Sequence, residues 1–249
     1  MSVVQVVQGF SKTNRWLLYT SVMLTPAQFI SGIGNNCSSN IGFLAYNLYN
    51  QIIYYRAVRA KQLHALCLLA PHFNLIFAVT YFGGASSGNV YFATALALGT
   101  AGALTLNTVS AWTSWATNQP EGYGIYKFFF FGWRTLSAQW HKFMLVWQIF
   151  DSILALAMSF TVLGMIITTA FSETPQPRWH TKYLWIPLGA ASTLLGLWPL
   201  ILWTELIVAR NHIESATDWI GVWLFIAQVG AMLVPSSSAV FGCFRRRSS

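Results

Sequence analysis

The sequence predicts an all-α fold, a polytopic membrane helix bundle of six or seven transmembrane helices forming one domain over residues 1–249. Three observations carry this. Hydrophobic residues make up 55% of the chain, aromatics 16% and charged residues only 8%. A soluble domain of this size carries roughly a quarter charged residues to cover its surface, whereas here 14 basic and 6 acidic side chains serve 249 residues. Apolar blocks of about 20 residues recur, the length a helix needs to cross the hydrocarbon core while satisfying its own backbone. Trp and Tyr gather at the block ends (Trp16, Tyr54, Tyr81, Trp112, Trp179, Tyr183, Trp219), where headgroup-level anchors belong.

The first block, Trp16–Gly34, is polar in its middle. The second, Ile41–Tyr55, is short and carries Asn47, Asn50 and Gln51, so it reads either as a span inside a bundle or as an interfacial helix. Leu63–Phe82, Val90–Trp112, Ser152–Phe171 and Tyr183–Trp203 follow, and Trp219–Phe241 is interrupted at Pro235–Ser238. Within Val90–Trp112, Ala93, Ala97 and Ala101 form one four-residue stripe and Ala95, Gly99 and Ala103 the next, which allows close helix packing. Thr113–Lys142 is expected as a partly interfacial loop, because it contains Lys127, four consecutive phenylalanines and Trp133.

The second block decides both span count and orientation. With seven spans, Lys12, Arg15, Arg56, Arg59, Lys61, Lys127, Arg134, Lys142 and Arg210 share one side, nine cations against five, whereas six spans give seven on each side. A clear positive-inside bias therefore favours seven. The tail pulls the other way, since Arg245–Arg247 beside Cys243 reads as a cytoplasmic polybasic patch for anionic lipid with a palmitoylation site.

The net charge of +8 does not point to nucleic acid, because the cations are spread between apolar blocks rather than gathered in a patch that tracks phosphates. The lipid bilayer is the expected partner. Cys37, Cys67 and Cys243 have no C-x-x-C spacing and encode no local zinc site or disulfide framework. Asn36 heads a formal glycosylation sequon beside an expected span. Zinc-protease, serine-hydrolase and nucleotide-binding motifs are absent, and Trp219–Phe241 has no lysine for a retinal Schiff base. The identity of any cofactor is left open by the sequence.

The acids are unevenly distributed. Because successive spans are antiparallel, Glu121, Asp151, Glu205, Glu214 and Asp218 fall on one side and only Glu173 on the other. His64, His141 and His212 join the five, with His72 about two turns inside. The candidate catalytic residues are therefore Asp151, Glu205, His212, Glu214 and Asp218. Arg210, Glu214 and Asp218 are spaced four apart, so a continuing helix would make them neighbours. His212, Glu214 and Asp218 match no established zinc signature, so no metal site is expected. The structural alternative is that wet loops between spans carry charge simply because they are wet.

Asp151 and Glu205 are the sharper pair, since acids within a bilayer are costly and face a cavity or a partner. A carboxylic acid desolvated there favours its protonated state, which a general acid requires. The expected function is a membrane-embedded enzyme using carboxylate acid/base chemistry on a lipophilic, isoprenoid- or lipid-like substrate, with His72, His141 or His212 assisting. The architecture is similar to that of small integral-membrane isoprenoid cyclases, an analogy of size and carboxylate use and not of motif. A small transporter or channel subunit, or a noncatalytic scaffold or assembly protein, are the alternatives.

Overall fold

A computed structural model describes residues 4–6, 8–28, 37–60, 90–117, 127–129, 131–135, 137–171, 181–210 and 212–233. Six helices dominate: α1 (Lys12–Met23), α2 (Cys37–Arg59), α3 (Val90–Thr117), α4 (Ala138–Phe171), α5 (Thr181–Arg210) and α6 (Trp219–Leu233). Four three-residue strands accompany them: β1 (Val4–Val6), β2 (Lys127–Phe129), β3 (Trp133–Thr135) and β4 (Ile213–Ser215). The all-α expectation thus holds with two small two-stranded sheets added.

The helices overrun the apolar blocks that announce them. α2 is 23 residues long, well beyond Ile41–Tyr55, because Asn40, Asn47 and Gln51 are buried inside the bundle and do not end the helix. Ala138–Phe171 adds fourteen residues ahead of Ser152, so the expected loop over Thr113–Lys142 is in part helix and in part the β2–β3 hairpin. α1 starts at Lys12, capped by the Ser11 hydroxyl on the Asn14 amide, and a further turn over residues 25–28 contains Pro26. Leu63–Phe82, with His64 and His72, lies outside the described residues, as do Glu121, Glu173, Asn36 and Arg245–Arg247.

The helices stand side by side in the spatial order α4, α3, α2, α6, α1, α5. Named contacts give their directions. Gly42 meets Gln228, Tyr46 stacks edge-on against Phe225, and Tyr49 reaches Asp218, so α2 and α6 run antiparallel. Arg15 reaches Glu205 while Pro26 lies against Gly189, so α1 and α5 are antiparallel. Leu44 meets Gly99 and Gln51 meets Asn107, so α2 and α3 are parallel.

The distribution of polarity is inverted relative to a soluble bundle. Ser21, Gln28, Asn40, Asn47, Gln51, Thr100, Asn107, Ser110, Gln148 and Gln228 are buried. Several pair between segments: Asn107 Nδ2 donates to Gln51 Oε1 at 2.8 Å, Gln228 Nε2 to Ser21 Oγ at 3.1 Å, and Gln28 bonds both Ser39 and Asn40. Outside stand Val146, Phe150, Ile153, Leu156, Phe160 and Ile167 on α4, Leu184, Leu188, Leu195 and Trp198 on α5, and Trp219, Ile220 and Trp223 on α6. Among the described residues one stretch, Leu145–Ile167, is by itself long and apolar enough to cross a membrane. A second, Tyr183–Pro199 with Ile201–Arg210, qualifies only if its two bent halves count as one. Length and apolarity alone therefore do not reproduce six or seven spans among the described residues, where α1 and α6 are 12 and 15 residues long and α2 carries several polar side chains.

Candidate functional site

The chain ends of four helices meet in a polar cap. Here β1 pairs in parallel with β4, Val4 opposite Ile213 and Val6 opposite Ser215, and the Gly9 amide donates to the Ala216 carbonyl at 3.2 Å. The chain has to turn sharply at Gly9, whose φ of +106° suits a residue without Cβ. These contacts hold the N-terminal segment against the connection between α5 and α6.

Two neighbouring residues on the first turn of α1 receive the two principal acids. Arg15 forms a two-point ion pair with Glu205, Nε to Oε1 and the second terminal nitrogen to Oε2, both 2.8 Å. The Tyr19 hydroxyl donates to Glu205 Oε1 at 2.9 Å, and the remaining Arg15 nitrogen donates to the Phe10 carbonyl at 2.7 Å. Glu205 lies just past Trp203. Burial opposes its ionisation, but the Arg15 guanidinium, the Tyr19 hydroxyl and Lys12 outweigh that and hold its carboxyl below the usual glutamate value.

Asn14, one residue before Arg15, clasps Asp218 through the backbone. Its Nδ2 donates to the Asp218 carbonyl at 3.0 Å, and its Oδ1 accepts from the Asp218 amide at 2.9 Å. The Asp218 carboxylate caps α6, accepting from the amides of Ile220 (3.1 Å) and Gly221 (3.3 Å), and accepts the Tyr49 hydroxyl at 2.6 Å. Glu205 and Asp218 are thus brought to the same cap, each already fully engaged.

The rest of that connection departs from the helix its four-residue spacing allows. α5 ends at Arg210, His212 adopts a left-handed φ of +51°, and β4 follows, so Arg210, Glu214 and Asp218 do not form one helical face. Arg210 instead lies over the Trp133 ring, 5.2 Å from its centre. His212 and Glu214 are exposed at the rim of the cap. Among the described residues no three His, Cys, Asp or Glu side chains converge as metal ligands.

Asp151 stands apart, on the stripe Gln148, Asp151, Ala155 and Val162 that α4 buries against its neighbours. Next to it the Ser152 hydroxyl donates to the Gln148 carbonyl at 2.7 Å and accepts from Trp112 Nε1 at 2.9 Å. Among the described residues no hydrogen bond or ion pair reaches the Asp151 carboxylate, and none joins it to Glu205. Gln148, one turn earlier, has its Nε2 buried without a partner among the described residues. His141 lies on α4.

Sequence reasoning missed Arg15, Tyr19, Asn14 and Tyr49 as partners of the acids, because each lies more than 160 residues away in the chain. One local signal was present. An aspartate directly before an apolar run, as in Asp218–Trp219, is a helix-start signature. Compared with known proteins, the chain matches no family model, no curated protein and no solved structure.

Proposed function

We propose that the chain is an integral membrane protein with seven crossings, and that it is a membrane-embedded enzyme in which Asp151 serves as acid/base group toward a lipophilic substrate. The inverted polarity supports the bilayer: large apolar side chains cover the outside of α4, α5 and α6 while amides and hydroxyls pair inside. Seven crossings are supported by the cap. An N-terminal segment paired with β4 needs an even number of crossings between them, a condition that the seven-span count meets and the six-span count, with Trp16–Gly34 crossing and the α2 block not, fails. The seven-span count of nine cations against five then favours a cytoplasmic cap.

The observation that carries the catalytic reading is the contrast among the acids. Glu205 and Asp218 are held by an arginine and by a helix end, whereas Asp151 is buried without a counter-charge among the described residues. Six residues beyond Leu145, it sits about 9 Å into the apolar stretch, a depth at which a carboxyl group is retained for a reason. In this reading Glu205 and Asp218 hold the cap together, and His212 and Glu214 lie at its rim, apart from Asp151. Asp151→Asn in folded protein is expected to abolish turnover of a lipophilic substrate, and unchanged turnover removes Asp151 from the chemistry.

A second reading, a small transporter or channel subunit, is favoured by one observation. Thr100, Asn107 and Ser110 on α3 with Asn47 and Gln51 on α2 make a buried polar seam of the kind that lines an ion or proton path. Proteoliposome flux that depends on Asp151 and Asn107 supports that reading, and tight vesicles count against it.

A further inference from the structure

The β2–β3 hairpin carries a feature that the catalytic reading does not use. Its register is Lys127 opposite Thr135, Phe128 opposite Arg134 and Phe129 opposite Trp133, and it packs against α5 at the cap end of the bundle. At its tip Phe131 has a φ of +47° and Gly132 one of +132°. A phenylalanine in the left-handed region is strained, and this one is also 90% exposed. At this exposure the ring is placed to meet an apolar phase outside the bundle. Beside it, Trp133 is half-exposed under the Arg210 guanidinium, and Arg134 is exposed on β3. Among the described residues no carboxylate pairs with either arginine, and from Gly122 to Phe150 the chain has Lys127, Arg134 and Lys142 but no acid.

We propose that this hairpin is a docking element for anionic phospholipid: Phe131 enters the boundary between acyl chains and headgroups, and Arg134 and Arg210 take the lipid phosphates on either side of Trp133. The proposal rests on the membrane reading above and adds a lipid preference to it. The pieces have matching chemistry. A guanidinium presents a planar fork of donors to phosphate, the stacked indole fixes its orientation, and Trp belongs at headgroup level. Each arginine near a negatively charged leaflet is worth about fivefold in association, so the pair gives a preference that salt weakens.

The test uses the full chain in phosphatidylcholine vesicles containing acyl-brominated phosphatidylglycerol or, separately, acyl-brominated phosphatidylcholine. The signal is the fluorescence of the native chain minus that of Trp133→Phe, which isolates Trp133. Brominated phosphatidylglycerol is expected to quench it severalfold more strongly than the neutral lipid, with the ratio falling to one in Arg134→Gln/Arg210→Gln. Equal quenching of the native chain by both lipids overturns the proposal. So does loss of the preference to inorganic phosphate at constant ionic strength, which assigns the site to the free ion. Should the double variant fail to stay monodisperse, the count of phosphatidylglycerol co-purifying with Arg134→Gln in native mass spectra decides, with a drop expected and no change counting against. Alkaline carbonate extraction is read separately. A chain released by carbonate defeats the membrane reading, whereas a retained chain without lipid preference defeats the hairpin proposal alone.

Discussion

Arg15 and Glu205 face each other through two parallel hydrogen bonds of 2.8 Å although 190 residues separate them. The pair fastens the first turn of α1 to the C-terminal part of α5, with side chains only 11% and 29% exposed. Removing one partner strands a charge that is largely out of water. Arg15→Met or Glu205→Gln is expected to lower stability by about 2 kcal/mol, below the loss for fully buried pairs because this one keeps some solvent. Arg15→Met/Glu205→Gln is expected to recover much of that. Thermal unfolding of the three variants in detergent, analysed as a double-mutant cycle, measures the coupling.

The same pair sets an acid limit. Glu205 is held below the ordinary glutamate value of 4.5, so its contribution to stability is complete above that pH and is lost as pH falls through its lower folded value. The stability difference between the native chain and Glu205→Gln should stay level from neutrality down to about pH 4.5 and close only below it. Denaturation series at stepped pH test this. A difference that closes between pH 7 and 5 would mean that Glu205 is not held by Arg15.

Asp218 separates a holding role from a chemical one. Asp218→Ala removes the cap of α6 and the acceptor of Tyr49 and is expected to cost about 1–2 kcal/mol. Asp218→Asn keeps a capping oxygen and should restore most of the loss. If turnover survives in Asp218→Asn at native stability, the residue frames the site. Turnover lost at unchanged stability would return it to the chemistry.

How much of this was legible depends on the range of each interaction. The helices were, because apolar periodicity is local and the blocks at Val90, Tyr183 and Trp219 begin within two residues of α3, α5 and α6. Glu205, Glu214 and Asp218 lie within one short stretch of chain, so their meeting at one end needs only the connection between α5 and α6. The length of α2 was obscured because Asn47 and Gln51 look like a break until Asn107 on α3 is there to pair with. The N-terminal clasp was invisible for the same reason: nothing near Asn14 and Arg15 announces acids at Asp218 and Glu205. Asp218 itself carried a capping signal that its charge obscured.

Close packing of α1 on α5 gives a further test. A Cβ at Gly189 would stand 2.7 Å from Pro26 Cβ, and neither the proline ring nor the helix backbone yields easily. Gly189→Ala is expected to destabilise by about 1–2 kcal/mol despite its better helix propensity. Gly196 lies two turns along the same helix with nothing within 4 Å, so Gly196→Ala should be neutral or stabilising by up to about 1 kcal/mol. Opposite signs at the two positions in thermal unfolding support the packing, and equal effects would argue that α1 does not seat there.

The crossing number is the last expectation, and it follows from the clasp. Lys12 and Glu214 are exposed on the cap, while Leu233 is exposed at the far end of α6, beside Tyr183 at the start of α5, whose hydroxyl donates to the Leu233 carbonyl at 3.1 Å. In a background with Cys37, Cys67 and Cys243 replaced by serine, Lys12→Cys and Glu214→Cys should react with a membrane-impermeant maleimide from the same side. With the cap cytoplasmic, both should be protected in intact cells and react on permeabilisation. Leu233→Cys should label from the other face. If positions 12 and 214 label from opposite sides, the crossings between them are odd in number, and the pairing of β1 with β4 cannot exist in the membrane.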